Sequence, residues 1–210
     1  MPHKIKVKNL EKIFNFLHQV EHLKSTLRYT SLASGRKESS AEHSWRLALM
    51  TFLVAEALEL DLDSNHAVRV ALVHDVAESV TGDIDAVKIG RKEFSEEEKH
   101  RLEMQAIKKI KNKLPLELGR EIHNLWFEYE KSLTPEAKFV KALDKLETLT
   151  QLAEAGYKTY DAPEFIANYA DLSVQNFSAL KGMLKIVKRK LKAEFRKGNI
   201  PWKKEYNAYP

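Results

Sequence analysis

The stretch AVRVALVHDVAESVTGD occupies residues 67–83 and decides the fold, because it joins an apolar run to a cluster of polar side chains. Residues 67–73 are apolar on nearly every side of a helix, which is typical of a helix at the centre of a helical domain. His74 and Asp75 follow the run directly. Polar side chains at the end of a buried helix need partners, and a metal ion would satisfy both. The stretch therefore predicts a central helix, over about residues 65–79, that ends in a functional site.

The polar cluster itself contains metal-ligating and proton-carrying groups. On a helix, Glu78 stands one turn after His74 on the same face, and Asp75 lies beside them. Gly82 lets the chain turn so that Asp83 can swing back towards the cluster. Imidazole nitrogen and carboxylate oxygen together suit a divalent ion of borderline or hard character. An ordinary polar helix terminus is the structural alternative.

Apolar residues recur at helical spacing along most of the chain, and no segment has convincing strand character. The first helix should pack on the core, whereas residues 25–38 lose the helical period and form a predicted loop rich in cations. The sequence therefore predicts an all-α fold, a compact single-domain helical bundle of seven or so helices. The predicted helices cover about residues 7–24, 39–58, 65–79, 95–114, 116–129, 134–149 and 163–197.

Composition limits the class of protein. A chain of 210 residues suits one sizeable core. The absence of cysteine excludes disulfides and thiolate metal sites. No run of eighteen apolar residues and no charged-then-apolar leader is present, so we expect a soluble, cytoplasmic protein with no membrane span.

The net charge of +5 is concentrated between Lys181 and Lys204. Apolar residues at four-three spacing predict that one face of the last helix packs on the body or on a partner. The basic residues would then form a solvated face, which we favour over a nucleic-acid surface. The cations predicted to face water are Lys185, Lys188, Arg189, Lys190 and Lys192.

Two further residues are candidates for the site. His43 falls in the first turn of a predicted helix, where a histidine is more often structural than a ligand. Asp144 lies between leucines on a mostly apolar helix, so its carboxylate must be paired, neutralised or metal-bound. A plain ion pair with Lys141 or Lys145 is the alternative for Asp144.

The order of these residues, a histidine, a distant His-Asp pair and a further aspartate, resembles the HD-domain superfamily of metal-dependent phosphohydrolases. Several spaced motifs resemble one group within it, the HD-domain 5′-deoxynucleotidases, over roughly residues 10–180. The resemblance divides the chain into an HD phosphohydrolase domain, residues 1–185, and a basic helix end and tail, residues 186–210, packed on the same domain. The motifs are ESSAEHS (38–44), LVHDVAE (72–78), GDI (82–84), EEKHR (97–101), LWFEYE (125–130) and AKFVKALDK (137–145).

The resemblance implies metal-dependent hydrolysis of deoxyribonucleoside 5′-monophosphates to deoxynucleosides and phosphate. The implied ion is cobalt, manganese or magnesium, with zinc as an alternative, and the implied assembly is a homodimer. Glu78 would orient or deprotonate water, and Asp83 would relay a proton to the departing 5′ oxygen. The implied metal ligands are His43, His74, Asp75 and Asp144.

Substrate binding is less closely defined by the resemblance. The family uses an arginine before the first ligand histidine, and Arg28, Arg36 and Lys37 are the candidates here. Tyr29 stands where some members have tryptophan beside the arginine. A cyclic-nucleotide phosphodiesterase or nucleoside polyphosphate hydrolase is the first alternative, although only one compact His-Asp cluster is visible. A basic nucleic-acid-binding module is the second, disfavoured because aromatic residues do not interleave with the cations.

Overall fold

The computed structural model describes the backbone of residues 2–207 and the side chains of residues 6–207. Helices dominate this part of the chain, as the sequence predicts, and the other regular elements are one short hairpin and several 3₁₀ turns. The elements are α1 Pro2–Val20, β1 Leu27–Ser31, β2 Lys37–Ser39, α2 Ser40–Ala57, α3 Ser64–Val73, α4 Glu78–Thr81, α5 Ala86–Gly90, α6 Glu96–Lys113, α7 Leu116–Lys131, α8 Pro135–Ala155, α9 Asp171–Asn176 and α10 Lys181–Lys197.

Three helices, α2, α3 and α8, pack against one another at the centre of the fold. Ala67 and Ala71 are fully buried on α3, and their small side chains permit close approach of the neighbouring helices. Leu143 and Leu146 of α8 fill the same core. The predicted metal ligands lie on or directly after these helices: His43 on α2, His74 and Asp75 just after α3, and Asp144 on α8.

Three of the predicted helix starts are confirmed by their caps. The Ser39 hydroxyl accepts from the backbone N–H of Glu42, whose carboxylate accepts in return from the backbone N–H of Ser39. Ser95 forms the same reciprocal box at the start of α6. Thr134 caps α8 and Pro135 occupies its first turn. These bonds satisfy backbone donors that have no partner within the helix.

The expectation that the chain has no strand is wrong for the predicted loop. The strands β1 and β2 pair antiparallel there, and their connection includes Gly35 at a φ of +87°. The backbone N–H of Leu32 donates to the carbonyl of Arg36 over 2.7 Å and closes the turn. The strands have five and three residues, too few to produce a clear alternating pattern.

The central helix is shorter than predicted, because α3 ends at Val73. The backbone then tightens to 3₁₀-type bonds: the N–H of Glu78 donates to the carbonyl of Asp75 over 2.9 Å. The Nδ1 of His74 also bonds to the carbonyl of Ala71, over 2.8 Å. His74 and Asp75 therefore lie in a turn between two helices rather than within one.

The C-terminal part differs most from the prediction. The expected helix over residues 163–197 is interrupted, with α9 and α10 separated by a 3₁₀ turn. Within α10, Leu184 and Leu191 are buried on the predicted face, which packs on α8. The prediction that Lys188 faces water is wrong. Its ammonium is 2.6 Å from Asp171 Oδ2 and donates to the carbonyl of Tyr206, because the C-terminal segment folds over this side of α10.

The predicted division at residue 185 falls inside α10. The segment after Pro201 includes a 3₁₀ turn, Lys204–Asn207, rather than being irregular throughout. The ring of Tyr206 packs edge-on against Trp202 and Phe195. These contacts tie the C-terminal segment to the body of the protein.

The expected packing of α1 is only partly observed. Leu23, just after the helix, is buried, and Val20 is half-buried, whereas Phe14 and Leu17 are exposed. The buried face of α1 is the one that contacts α4 and α6. In the part of the chain that the structure describes, no helix is both long and apolar enough to cross a membrane.

Candidate metal centre and active-site cavity

A cavity of about 310 Å³ opens between β1, α8 and the turn that follows α3. This volume lies at the lower end of the range of small-molecule sites. The site residues that line it are Arg28, His74, Asp75, Glu78, Asp83 and Asp144. His43 is fully buried behind them. The fold thus brings the predicted ligands and proton carriers together, although they come from distant parts of the chain.

The predicted metal ligands converge on one point. One ligand atom each from His43, His74 and Asp75 lies within 4.8 Å of the others. Asp144 joins them through its Oδ1, which is 3.1 Å from Nε2 of His43. The Nε2 atoms of both histidines are buried and lack a well-aligned hydrogen bond, although Nε2 of His74 also lies 3.1 Å from a carboxylate oxygen, Oδ2 of Asp75. Buried imidazole nitrogens beside two carboxylates are a chemically suitable donor set for a divalent ion.

The opposite ring nitrogens have acceptors. Nδ1 of His74 is held by the Ala71 carbonyl, and Nδ1 of His43 contacts the carboxylate of Glu147. In ligating histidines the partner of one ring nitrogen fixes the tautomer and leaves the other nitrogen free for a metal. Both histidines therefore present Nε2 towards the cluster.

Asp144 is ionised and firmly held. Its Oδ2 accepts from the hydroxyl of Tyr129 over 2.6 Å and lies 3.0 Å from the ammonium of Lys145. Burial alone would raise the pKa of Asp144, but Lys145 and His43 hold it well below its usual value. The ion pair with Lys145 is thus present, yet Oδ1 still faces His43. Asp144 can therefore form an ion pair with Lys145 through one oxygen and bind an ion through the other.

The charge on His43 depends on its acidic surroundings. Burial and the charge of Arg28 favour the neutral ring, but Glu147 and Asp144 raise the pKa of His43 to about 10. Without an ion, the imidazolium neutralises part of the acidic cluster. A metal cation would replace that proton.

Glu78 and Asp83 both line the cavity, and the charge of Asp83 acts on Glu78. The carboxylate of Glu78 is buried and accepts from the Ser40 hydroxyl over 2.6 Å. Burial, followed by the charges of Asp75 and Asp83, raises the pKa of Glu78 well above its usual value. Burial is also the main cause of the raised pKa of Asp83. Both groups therefore retain a proton to a higher pH than ordinary carboxyls.

Among the three predicted substrate-binding cations, Arg28 is the one that lines the cavity. Its Nη1 is 3.3 Å from Asp75 Oδ2, and its Nη2 donates to the hydroxyl of Thr148 over 3.2 Å. Strand β1 places it there. Arg36, by contrast, forms an exposed pair with Glu42.

Lys37 is also outside the cavity, where its ammonium donates to the backbone carbonyl of Tyr29. The tyrosine itself lines the cavity, and its hydroxyl accepts from the backbone N–H of Ala162. The neighbour of the arginine thus takes part in the cavity wall.

Several residues near the site were not singled out by the sequence analysis. Lys99 and Tyr169 line the cavity, and Tyr129 bonds directly to Asp144. Glu147 had a detectable signal, because it lies three residues after Asp144 and hence on nearly the same face of α8. Lys99 falls within the motif EEKHR (97–101), although no role was assigned to it. No sequence signal marks Tyr169, whose position depends on how the segment before α9 packs.

Several known proteins are similar to this chain in sequence and in fold. The family model described as HD domain matches residues 20–179. A 5′-deoxynucleotidase of Schizosaccharomyces pombe is 39% identical over 148 residues, which are 68% of this chain and 71% of the yeast protein. A human 5′-deoxynucleotidase is 41% identical over 119 residues, 57% of this chain and only 55% of the human protein.

A solved structure of a predicted metal-dependent phosphohydrolase from Magnetospirillum magnetotacticum MS-1 superposes with a TM-score of 0.75 at 28% sequence identity. The alignment covers 92% of this chain and 99% of that one. Its extent agrees with the family match, which includes every predicted site residue. The chain therefore belongs to the HD-domain family.

Proposed function

We infer that this protein is a 5′-deoxynucleotidase, a hydrolase that releases phosphate from deoxyribonucleoside 5′-monophosphates. The observation that carries the inference is the pair of buried Nε2 atoms of His43 and His74, which lack a well-aligned hydrogen bond, beside Asp75 at the wall of a cavity of small-molecule size. The named activity of the yeast and human relatives supplies the substrate class.

Membership of the HD-domain family implies a divalent ion, and we propose His43, His74, Asp75 and Asp144 as its ligands. We propose cobalt, manganese or magnesium as the ion, as the resemblance to the HD-domain 5′-deoxynucleotidases implies, with zinc as the alternative. When bound, such an ion polarises phosphate oxygens and lowers the pKa of a water molecule from about 15.7 towards 7.

We assign proton transfer to two carboxyls that line the cavity, the buried Glu78 and the half-buried Asp83. Glu78 orients and deprotonates the attacking water, and Asp83 relays a proton to the departing 5′ oxygen. Burial raises the pKa of both carboxyls above the usual value, and a raised pKa is the direction expected of a carboxyl that acts in proton transfer.

Arg28 is the proposed phosphate-binding residue. Its guanidinium is mostly buried, lines the cavity and is already positioned by Asp75 and Thr148. The planar fork of arginine can contact two phosphate oxygens at once. Arg36 and Lys37 are not among the residues that line the cavity, which favours Arg28 over both.

The proposed activity is tested with a panel of deoxyribo- and ribonucleoside 5′-monophosphates, cyclic nucleotides and nucleoside polyphosphates. The metal-stripped protein is resupplied in turn with cobalt, manganese, magnesium or zinc, and the released phosphate, nucleoside and nucleoside monophosphate are each measured. We expect metal-dependent phosphate release that favours the deoxy monophosphates. Loss of release in His43→Asn, but not in the exposed control His18→Asn, is expected as well.

Hydrolysis of cyclic nucleotides or polyphosphates alone would move the assignment to another HD-domain activity. Tight, salt-sensitive nucleic-acid binding that survives loss of the metal ligands would favour the basic module instead. The panel thus separates the three functions that the sequence left open.

We also propose that the protein forms a homodimer through an apolar face of α2. Four large side chains are exposed along this face at helical spacing, an arrangement typical of a contact surface. The four residues are Trp45, Leu49, Phe52 and Leu53.

The cytoplasmic location of the protein stays a prediction.

A further inference from the structure

Glu147 is a fully buried carboxylate that the proposed reaction does not use. It lies on α8 three residues after Asp144, and its Oε2 contacts Nδ1 of His43. Its Oε1 accepts from Nε of Arg46 over 2.5 Å. Burying a carboxylate is costly unless it is paired, so this position needs an explanation.

We propose that Glu147 is a positioning residue that fixes His43 with Nε2 directed at the metal centre. The proposal rests on the ligand set given under the proposed function. A carboxylate at Nδ1 keeps the proton on that nitrogen, locks the ring orientation and makes the free nitrogen a stronger donor. Arg46 completes the chain of contacts by holding the other oxygen of Glu147.

The same carboxylate has a second conceivable role as a metal ligand. Ligand atoms of Glu38, His43 and Glu147 also lie within 4.8 Å of one another. However, Glu38 accepts from the Thr30 hydroxyl over 2.7 Å and lies 3.5 Å from Nε of Arg28. Since guanidinium groups already face both carboxylates, a second divalent ion would meet like charge. The geometry therefore favours a supporting role for Glu147.

A stripe of buried polar residues on α8 agrees with this reading. One turn beyond Asp144, and directly after Glu147, the hydroxyl of Thr148 accepts from Arg28. A further turn on, Gln151 donates to the backbone carbonyl of Ser31 in β1 over 2.6 Å. One face of α8 thus carries the proposed ligand Asp144 and contacts a second ligand, His43, the proposed phosphate-binding Arg28 and strand β1.

The test is a titration of metal-stripped protein with Mn²⁺, followed by the electron paramagnetic resonance signal of the free ion. Glu147→Gln is expected to weaken manganese binding by about 10- to 100-fold, the usual effect of removing a partner of a ligating histidine. The matched control is Glu154→Gln. Glu154 is on the same helix and also binds Arg46, over 2.7 Å, but its side chain is half-exposed and has no contact with His43 in the described contacts.

An affinity of Glu147→Gln equal to that of the parent would overturn the role of Glu147. So would a parent that binds two ions and a variant that binds one, because Glu147 would then be a ligand itself. Circular dichroism melting of the metal-free proteins checks that the variant is folded. If it is not, Arg46→Gln replaces it, with a smaller loss of affinity expected and an unchanged affinity again contradicting the proposal.

The outcome also distinguishes this inference from the function on which it rests. A parent protein that binds no manganese would overturn the ligand set itself. Normal binding by the parent with weakened binding by Glu147→Gln would support both. Neither result depends on which nucleotide the protein hydrolyses.

Discussion

The substitution Asp144→Asn separates folding stability from metal binding. The carboxylate is almost fully buried, accepts from Tyr129, and lies 3.0 Å from the Lys145 ammonium. Breaking one partner of a buried ion pair costs 3–5 kcal/mol. Because a quarter of the Lys145 side chain is exposed, we expect the lower end, a loss of about 3 kcal/mol in the free energy of unfolding of the metal-free protein.

The same change removes a proposed ligand. Outer partners of metal ligands already contribute 10- to 100-fold to affinity, so loss of Asp144 itself should weaken Mn²⁺ binding by more than about 100-fold. The assays are urea unfolding of the stripped protein, manganese titration, and phosphate release from a deoxynucleoside 5′-monophosphate. We expect all three to change together in Asp144→Asn.

Asp171→Asn is the matched control, since it breaks another aspartate–lysine pair away from the cavity. Asp171 Oδ2 is 2.6 Å from the buried ammonium of Lys188. We expect a comparable loss of stability, about 3 kcal/mol, with manganese affinity and phosphate release unchanged. Full metal content and full activity in Asp144→Asn would refute the site assignment. Equal loss of metal affinity in both variants would show that the effect is only structural.

Three further predictions concern other parts of the molecule. Arg28→Lys keeps the positive charge but loses the planar guanidinium that can contact two phosphate oxygens, so KM for the nucleotide should rise about tenfold in steady-state kinetics. KM of the exposed control Arg36→Lys should equal that of the parent. The hydrogen bond from Arg36 is the main cause that lowers the pKa of Glu42 from 4.5 to about 2. The negative charge of Glu42 therefore stabilises the fold above pH 4.5, and this stabilisation is lost as the pH falls towards 2. The stability difference between the parent and Glu42→Gln, about 0.5 kcal/mol for so exposed a pair, should therefore shrink below pH 4.5 in urea unfolding, and a constant difference would contradict this. Phe52→Ser should convert a dimer into a monomer in sedimentation experiments at micromolar concentration, and a parent that is already monomeric would remove the dimer proposal.

Local signals in the sequence predicted the helix starts well. The capping boxes at Ser39 and Ser95 need only residues three apart, and both form as expected. The central position of α3 follows from its apolar composition, and Asp144 stood out because a carboxylate among leucines needs a partner. These inferences depend on neighbouring residues only, which is why they survive.

What could not be predicted depends on contacts between distant segments. Lys188 lies on the predicted polar face but is covered by the C-terminal segment, and no periodicity reveals that cover. The end of α3 at Val73 is an exception, because it involves a local bond, from Nδ1 of His74 to the carbonyl of Ala71, that the apolar pattern does not reveal. Likewise, only the pairing of β1 with β2 brings Arg28 into the cavity, and so distinguishes it from Arg36.

The central claim is that one divalent ion at the His43, His74, Asp75 and Asp144 cluster supports hydrolysis of deoxynucleoside 5′-monophosphates. It is tested most directly by titrating stripped protein with Mn²⁺ or Co²⁺ while bound metal and phosphate release are measured on the same samples. We predict that release is absent from the stripped protein, rises in proportion to bound ion and saturates at one ion per chain. Release by stripped protein at the rate of the reconstituted protein, or none at full occupancy, would contradict the account.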